Sequence, residues 1–169
     1  FGHGRASDDD THLGDTLAMA EAALALYRST AERRHLALAS EFAEVIARDH
    51  RDQIGFMVRR PDPGAKGVLA KPVKQIDENV AATRLFNLLA RNTGRADFRA
   101  LAEHGMRYLI ALAEDDLVMP GALLADRELA REPAHVTIVG GKEDPAARAL
   151  YAAARQYPTR YLRIEWLDR

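Results

Sequence analysis

The stretch DTLAMAEAALALYRSTAERRHLALASEFAEVIA at residues 15–47 decides the fold, because it returns loosely at residues 78–110 as ENVAATRLFNLLARNTGRADFRALAEHGMRYLI. The two copies are separated by 63 positions, from residue 15 to residue 78. Identical residues coincide at Ala18 and Ala81, Leu26 and Leu89, Arg28 and Arg91, Thr30 and Thr93, and at residues 37–39 and 100–102, which both read Ala-Leu-Ala. A sequence that repeats itself at such a length is typical of stacked structural units.

Each copy has the pattern of a helical hairpin. Apolar residues recur at helical spacing on both sides of a tight turn, at residues 29–31 in the first copy and 92–94 in the second. A single hairpin cannot bury its apolar face, so repeated hairpins stack on one another. Two hairpins are too few to close a ring or to cap a stack. We therefore expect the chain to be a piece of a larger array.

The same periodicity predicts five helices, with Asp15 or Thr16 as the cap of the first. The short run at residues 53–58 favours a small strand, and residues 59–77, with three prolines and two glycines, favour a long connection. Pro120 and Gly121 are expected to interrupt the helical pattern, with a shorter helix at 122–131 after them. The predicted helices cover residues 17–29, 31–49, 77–92, 95–114 and 122–131.

Beyond residue 131 the pattern changes to strand, helix and strand. Residues 135–140 favour a strand, Asp144 and Pro145 are typical first residues of a helix, and residues 161–166 favour a second strand. A βαβ unit of this kind is normally parallel. We divide the chain into an N-terminal polar segment at 1–13, a helical hairpin array at 14–131 and a C-terminal βαβ unit at 132–169.

The composition argues against two classes of partner. With 24 basic and 25 acidic residues, the net charge of −1 gives no electrostatic case for nucleic acid or an anionic membrane. No apolar run approaches the roughly 20 residues needed to span a bilayer. The chain has no cysteine, which excludes disulfides, thiol chemistry and Cys-ligated zinc within these residues and leaves the compartment undecided.

Five stretches carry a resemblance to a known family: HLGD at 12–15, LYRST at 26–30, DENV at 77–80, NTG at 92–94 and, most specifically, VTIVGGKEDPAARAL at 136–150. From about residue 12 to its end, the chain resembles the C-terminal half of thioredoxin-domain proteins of the DUF255 type, the YyaL or spermatogenesis-associated-protein-20 family. That family often has Ser-Gly-Asn where this chain has Asp77, Glu78 and Asn79. Only Asn79 therefore carries over from that motif, while Asp15 matches an acidic position of the family.

The resemblance implies a fold and an upstream partner. In the family a thioredoxin-like domain precedes a toroid of helical hairpins, similar to that of six-hairpin glycosidases and N-acylglucosamine 2-epimerases. We therefore expect a mainly α fold of repeated antiparallel hairpins that form part of an (α/α) toroid, with a small C-terminal βαβ unit. The thioredoxin-like domain and the earlier hairpins would lie upstream of Phe1.

In such a toroid, the first helices of the hairpins start at one rim of the central cavity. The repeat places Asp15 and Glu78 at equivalent positions on two of these helices. Paired carboxylates are what glycoside hydrolysis requires, one as acid and one as base or nucleophile. Capping and compensation of the helix dipole explain the same residues, and also Thr16, Asp77 and Asn79, without any ligand.

Two further groups are candidates for ligand contacts. The connection at residues 59–77 is basic through Arg59, Arg60 and Lys71, together with Lys66 and Lys74, and could either bind an anionic group or simply be solvated. Aromatic residues at helical spacing could stack on sugar rings or belong to the core: Tyr27, Phe56, Phe86 and Tyr108. The turn at Gly140 and Gly141 lacks the patterns of phosphate-binding loops and is interpreted as structural.

Two functions follow from these observations. The first is a helical-toroid segment of a thioredoxin-domain protein that shapes a binding cavity or docking surface. The second is a segment of a carbohydrate-active enzyme, a glycosidase or an epimerase, with Asp15 and Glu78 at the site. The expected partners are the upstream domain and hairpins, a small-molecule or sugar ligand, and further copies of the chain. The residues indicate no cofactor and no metal.

Overall fold

The computed structural model describes residues 11–113 and 119–168, and it is mainly helical with a small parallel sheet, as the sequence predicts. The elements are α1 (Leu13–Thr30), α2 (Arg33–Asp49), α3 (Ile76–Thr93), α4 (Ala96–Ala113), α5 (Pro120–Leu129), β1 (Ala134–Val139), α6 (Pro145–Arg155) and β2 (Leu162–Leu167). Helices α1 and α2 form the first hairpin, α3 and α4 form the second, and α5 leads into the C-terminal unit.

The structure reproduces the repeat to the residue. Helix α3 begins and ends 63 positions after α1, and α4 begins 63 positions after α2. Both first helices end in a left-handed residue, Ala31 at φ 56° and Gly94 at φ 73°. The N–H groups of these two residues donate to the carbonyl oxygens of Tyr27 and Ala90, which are again equivalent. The prediction of two antiparallel helices in each copy is confirmed.

A threonine closes each turn with the same two hydrogen bonds. The Thr30 hydroxyl donates to the Leu26 carbonyl at 2.8 Å and accepts from the Glu32 N–H at 3.2 Å. The Thr93 hydroxyl does the same at 2.7 and 3.3 Å, with Leu89 and Arg95 as partners. The Glu32 and Arg95 N–H groups, at the start of the second helix of each hairpin, would otherwise have no intrahelical acceptor. The identity of the two threonines therefore has a direct structural cause.

The two hairpins share one core. Helix α1 packs against α3, α2 also touches α3, and α5 packs against both α3 and α4. Phe56, from the connection between the hairpins, inserts fully buried with its ring 5.3 Å from that of Phe86. The other fully buried large apolar side chains of this core are Leu13, Ile46, Leu89 and Phe98.

The C-terminal unit is the predicted parallel βαβ unit. Strands β1 and β2 pair in parallel, with Ala134 opposite Leu162 and Val139 opposite Leu167. The Asp144 carboxylate caps α6 by accepting from the Ala146 N–H at 2.8 Å. Ala31 of the first hairpin turn lies in the apolar cluster of this unit, so the sheet and α6 pack on the end of α1.

Two predictions about the connections are wrong. Residues 53–58 do not form a strand, because Gly55, at φ 67°, turns the chain and leaves an isolated bridge between Arg51 and Phe56. Helix α5 begins at Pro120 rather than at Ala122, so Pro120 and Gly121 belong to the helix instead of preceding it. Proline is suited to the first helical position because the N–H of that residue has no intrahelical acceptor.

The predicted caps of α1 are also wrong. His12 occupies the cap position and makes no side-chain capping bond, while Asp15 lies in the first turn. The Thr16 hydroxyl donates to the His12 carbonyl at 3.1 Å. Thr16 is therefore a residue of the helix and not its cap. The predicted polar segment at residues 1–13 falls largely outside the described residues.

Candidate functional site

A groove of about 690 Å³ runs between α1 and α3, the first helices of the two hairpins. Its lining follows one stripe on each helix, since residues three and four apart share a helix face. The two stripes are equivalent in the repeat: Glu21 corresponds to Arg84, and Ala25 to Leu88. Because α1 and α3 run in the same direction, the groove has an N-terminal end at Asp77 and a C-terminal end at Arg28.

An ion pair fixes the centre of the groove. The Arg84 guanidinium donates two hydrogen bonds to the Glu128 carboxylate of α5, at 2.8 and 2.9 Å, and these bonds raise the pKa of Arg84. The Glu128 side chain is 9% exposed, so its charge is largely removed from water. The third nitrogen, Nη1 of Arg84, makes no hydrogen bond within the described part of the chain. The two N–H groups of this nitrogen are therefore available to a ligand.

Glu21 lies on the same groove, on the opposite wall from Arg84. Burial raises the pKa of the Glu21 carboxyl, and the charge of Arg84 opposes that rise. The groove thus holds a carboxyl group that gives up its proton less readily than a free glutamate, beside a guanidinium already paired with Glu128. Such a carboxyl can accept a hydrogen bond from a hydroxyl group of a ligand.

Two arginines meet at the C-terminal end of the groove. The Arg28 guanidinium donates to the main-chain carbonyl of Arg160 at 3.1 Å. Burial, followed by the positive charge of Arg160, lowers the pKa of Arg28. Neither guanidinium forms an ion pair with a carboxylate among residues 11–113 and 119–168. This end of the groove therefore carries two positive charges that the described chain does not neutralise.

Hydrogen bonds behind the groove hold its walls together. The buried Asn87 side chain donates to the Glu128 carbonyl at 3.1 Å and to the Tyr161 hydroxyl at 3.0 Å. The Tyr161 hydroxyl in turn donates to the Arg131 carbonyl at 2.9 Å. This network joins α3, the end of α5 and the chain leading into β2. The side chains that line the groove therefore stand on a fixed support.

The structure brings Asp15 and Glu78 to one rim, at the N-terminal ends of α1 and α3, but neither lines the groove. Burial raises the pKa of the Glu78 carboxyl, His12 opposes the rise and the Asp15 charge adds to it. Its Oε2 atom is buried without a hydrogen-bond partner. Its Oε1 atom lies against Gly14, where a Cβ would stand 2.8 Å away, so a larger residue at this position would displace the Glu78 carboxyl group.

The other predicted residues on these helices have different surroundings. Asp77 is exposed and lines the groove. Asn79 is fully buried and faces the core instead: its amide donates to the carbonyls of Phe56 and Gln75, and its oxygen accepts from the Phe56 N–H at 2.7 Å. Asn79 therefore holds the connection between the hairpins. Its bond to the Gln75 carbonyl has an equivalent in the first copy, where the Thr16 hydroxyl donates to the His12 carbonyl.

The basic residues of the connection do not line the groove. Arg60 donates to the main-chain carbonyls of Arg48 and Asp49, so its guanidinium closes the end of α2. Arg59 and Lys71 are exposed on the same connection. The structure thus keeps the predicted basic loop away from the α1–α3 face.

Three of the four aromatic candidates belong to the core. Tyr27 is 5% exposed, and Phe56 and Phe86 are fully buried. Tyr108 is half-buried and lies beneath the Lys74 ammonium, which is 5.3 Å from the ring centre. None of the four lines the groove. The aromatic residue that does line it, Tyr161, follows the last helix and had no periodic signal in the sequence.

Sequence reasoning did not find Glu21, Arg84, Glu128 or Arg160 as site residues. A signal was present for Glu21 and Arg84, because the repeat makes them equivalent and their charges are opposite. The match of Arg28 with Arg91 marked the same helix face. Glu128 and Arg160 lie outside the repeat, so their presence at the groove depends on the tertiary fold.

Residues 11–113 and 119–168 lack two other kinds of feature. No group of three or more His, Asp or Glu side chains there could hold a metal ion. No helix there is long and apolar enough to cross a membrane. Comparison with protein-family models and with curated proteins found no match to this sequence.

Proposed function

We propose that this chain is a segment of an (α/α) toroid whose α1–α3 face lines a small-molecule binding cavity. The observation that carries the proposal is the groove itself. It lies between equivalent stripes of two repeated helices, and it combines apolar walls with charged groups held in fixed positions. Binding sites are typically concave and mostly apolar, with a few precisely placed polar groups. In this proposal the whole protein is of the thioredoxin-domain type that the sequence resembles.

A pair of alanine substitutions on α1 tests the proposal. Ala25 lines the groove and is exposed, whereas Ala22 is exposed on the same helix outside the groove. Ala25→Trp fills the groove, and Ala22→Trp adds the same bulk elsewhere. The two variants are compared with the parent chain for binding of a panel of sugars, carboxylates and phosphate esters.

We expect at least one class of compound to bind the parent chain with one-to-one stoichiometry. Ala25→Trp is expected to weaken that binding at least about tenfold, a loss of 1.4 kcal/mol, and Ala22→Trp to leave it unchanged. Circular dichroism checks that both variants fold. Binding that Ala25→Trp leaves intact, or the absence of binding by every class, would contradict the proposal.

A second candidate function is supported by the carboxylates at the rim. Glu78 has a raised pKa beside Asp15, which is the arrangement that a proton donor and a charged partner require. In this alternative the chain hydrolyses glycosides. The assay is turnover of a panel of aryl glycosides, and the alternative requires that both Asp15→Asn and Glu78→Gln abolish it. Turnover that survives either substitution would exclude these two residues as the catalytic pair.

A further inference from the structure

We infer that the C-terminal end of the groove binds the anionic head of a small organic molecule, a phosphate or a carboxylate group, between Arg28 and Arg160. This inference rests on the proposed function and names the ligand class of the same site. Both arginines line this end of the groove, Arg28 donates to the main-chain carbonyl of Arg160, and the positive charge of Arg160 acts on the Arg28 guanidinium. Arginine is well suited to this role because its planar fork matches the geometry of carboxylate and phosphate oxygens.

The charge distribution along the groove supports an anion at this end only. Three acidic and three basic residues line the groove: Glu21, Asp77 and Glu128, and Arg28, Arg84 and Arg160. The Arg84–Glu128 pair cancels itself at the centre. What remains is Asp77 at the N-terminal end, Glu21 opposite Arg84 at the centre and two arginines at the C-terminal end. A bound anion would relieve the repulsion that the two unpaired cations exert on each other.

The acidic residues of the groove are far enough from Arg28 and Arg160 for an anion to bind between these two arginines. Glu21 precedes Arg28 by seven residues, about 10 Å along an α-helix, which is the screening length at ordinary salt. Asp77 lies further still towards the N-terminal end of the groove. Glu128 is neutralised by its two hydrogen bonds from Arg84. The field at the C-terminal end is therefore set by Arg28 and Arg160.

The walls beside the two arginines indicate what the head group is attached to. Leu24, Leu85 and Leu88 contribute apolar surface, and Tyr161 contributes an aromatic ring. A ligand with an apolar or ring-shaped body next to its anionic group would bury that body against these side chains. Inorganic phosphate, which has the head group alone, should then bind more weakly than a phosphate ester.

The test measures binding of four probes by isothermal titration calorimetry: inorganic phosphate, phenyl phosphate, phenylacetate and neutral benzyl alcohol. The variants are Arg28→Gln and Arg160→Gln, with Arg148→Gln as a matched control. Arg148 is exposed on α6 and does not line the groove, so its removal changes the net charge equally without touching the site. Circular dichroism verifies the fold of each variant.

We expect phenyl phosphate and phenylacetate to bind, inorganic phosphate to bind more weakly and benzyl alcohol more weakly still. Arg28→Gln and Arg160→Gln should each weaken the anionic probes about tenfold, as expected for loss of a charged hydrogen bond, and Arg148→Gln should not. Raising the salt concentration should weaken the same probes.

Two results would overturn the inference. One is that no anionic probe binds, and the other is that Arg148→Gln weakens binding as much as the groove variants do. Failure of the inference is distinguishable from failure of the proposed function. If a sugar or another neutral compound binds and Ala25→Trp abolishes that binding, the groove is a ligand site and only its preference for anions is wrong.

Discussion

At the scale of single residues, each hairpin turn depends on one left-handed backbone position. The first copy uses Ala31 and the second uses Gly94. A left-handed conformation costs a residue with a Cβ roughly 1–2 kcal/mol, whereas glycine adopts it freely. Around Gly94 no atom lies within 4 Å of the place where a Cβ would stand, so the cost of a side chain there is conformational only.

We predict that Gly94→Ala lowers the free energy of unfolding by about 1 kcal/mol. The reverse change in the other copy, Ala31→Gly, should have almost no net effect. It relieves a similar cost but removes a buried methyl group worth about 0.8 kcal/mol. Urea titration of the three proteins measures both values. A Gly94→Ala variant as stable as the parent would show that the second turn does not need its left-handed residue.

The sequence predicts Asn79 as a capping or ligand-contact residue, whereas in the fold its side chain bonds to the main chain of Phe56. Two of its three hydrogen bonds satisfy both main-chain groups of Phe56 inside the core, and the third goes to the Gln75 carbonyl. We predict that Asn79→Ala destabilises the protein by about 3 kcal/mol, because it leaves buried donor and acceptor groups unpaired. Asn92→Ala is the control. Asn92 makes a single bond to its own helix, to the Leu88 carbonyl, and its loss should cost about 1 kcal/mol or less.

The measurement for this pair is again urea unfolding. Equal losses for Asn79→Ala and Asn92→Ala would contradict the account. They would mean that the bonds to Phe56 contribute no more than a local helix bond does.

At the scale of elements, two buried histidines hold the segment at residues 50–58 against the hairpins. The His50 Nδ1 group donates to the Met57 carbonyl at 3.1 Å, and its Nε2 atom accepts from the Thr11 hydroxyl at 3.3 Å. The His104 Nε2 group donates to the Gly55 carbonyl at 2.9 Å, and its Nδ1 atom accepts from Arg107. Since Arg107 can only donate, it requires an unprotonated Nδ1 on His104, and burial lowers the pKa of His50, which favours the neutral ring there too.

This arrangement predicts a loss of stability in acid. Burial lowers the pKa of both histidines below the ordinary value of 6.5. Below pH 6.5 the unfolded chain therefore takes up protons that the folded chain does not. The free energy of unfolding should be constant above that pH and fall below it, by up to about 1.4 kcal/mol per pH unit for each histidine.

The check is urea unfolding at several pH values between 8 and 5 for the parent chain and for the double variant His50→Asn and His104→Gln. The asparagine and glutamine amides can replace the Nδ1 and Nε2 donors respectively. The double variant should show a flatter dependence on pH. Stability that rises as the pH falls from 6.5 to 5 would contradict the prediction.

The helices were predictable to within a few residues because their signal is local. Apolar spacing and the matched turns placed both hairpins, and the Asp144–Pro145 pair placed α6. The segment at residues 53–58 was not predictable. Its apolar residues favour a strand, but in the fold Phe56 is buried in the core and its N–H bonds to Asn79 instead of to a second strand. Asn79 is distant in sequence, so a local pattern could not reveal this contact.

At the scale of the whole molecule, the groove joins parts of the chain that the sequence keeps far apart. Arg84 and its partner Glu128 are 44 residues apart, and Arg28 and its partner Arg160 are 132 residues apart. The repeat identified the helices that form the groove but pointed to the rim residues Asp15 and Glu78. The residues of α1 and α3 that line the groove lie on a different side of each helix from those two carboxylates. Their role depends on α5 and on the chain before β2, which complete the lining of the groove.

We propose that the α1–α3 face is the ligand-binding face of this protein. Chemical-shift mapping tests it most directly, using ¹⁵N-labelled protein titrated with phenyl phosphate and phenylacetate. The account predicts that the largest shifts fall on the lining of the groove, at residues 21–28, 80–88 and 160–161. Shifts that concentrate instead on α2, α4 or the connection at residues 59–75, with the groove unaffected, would contradict it.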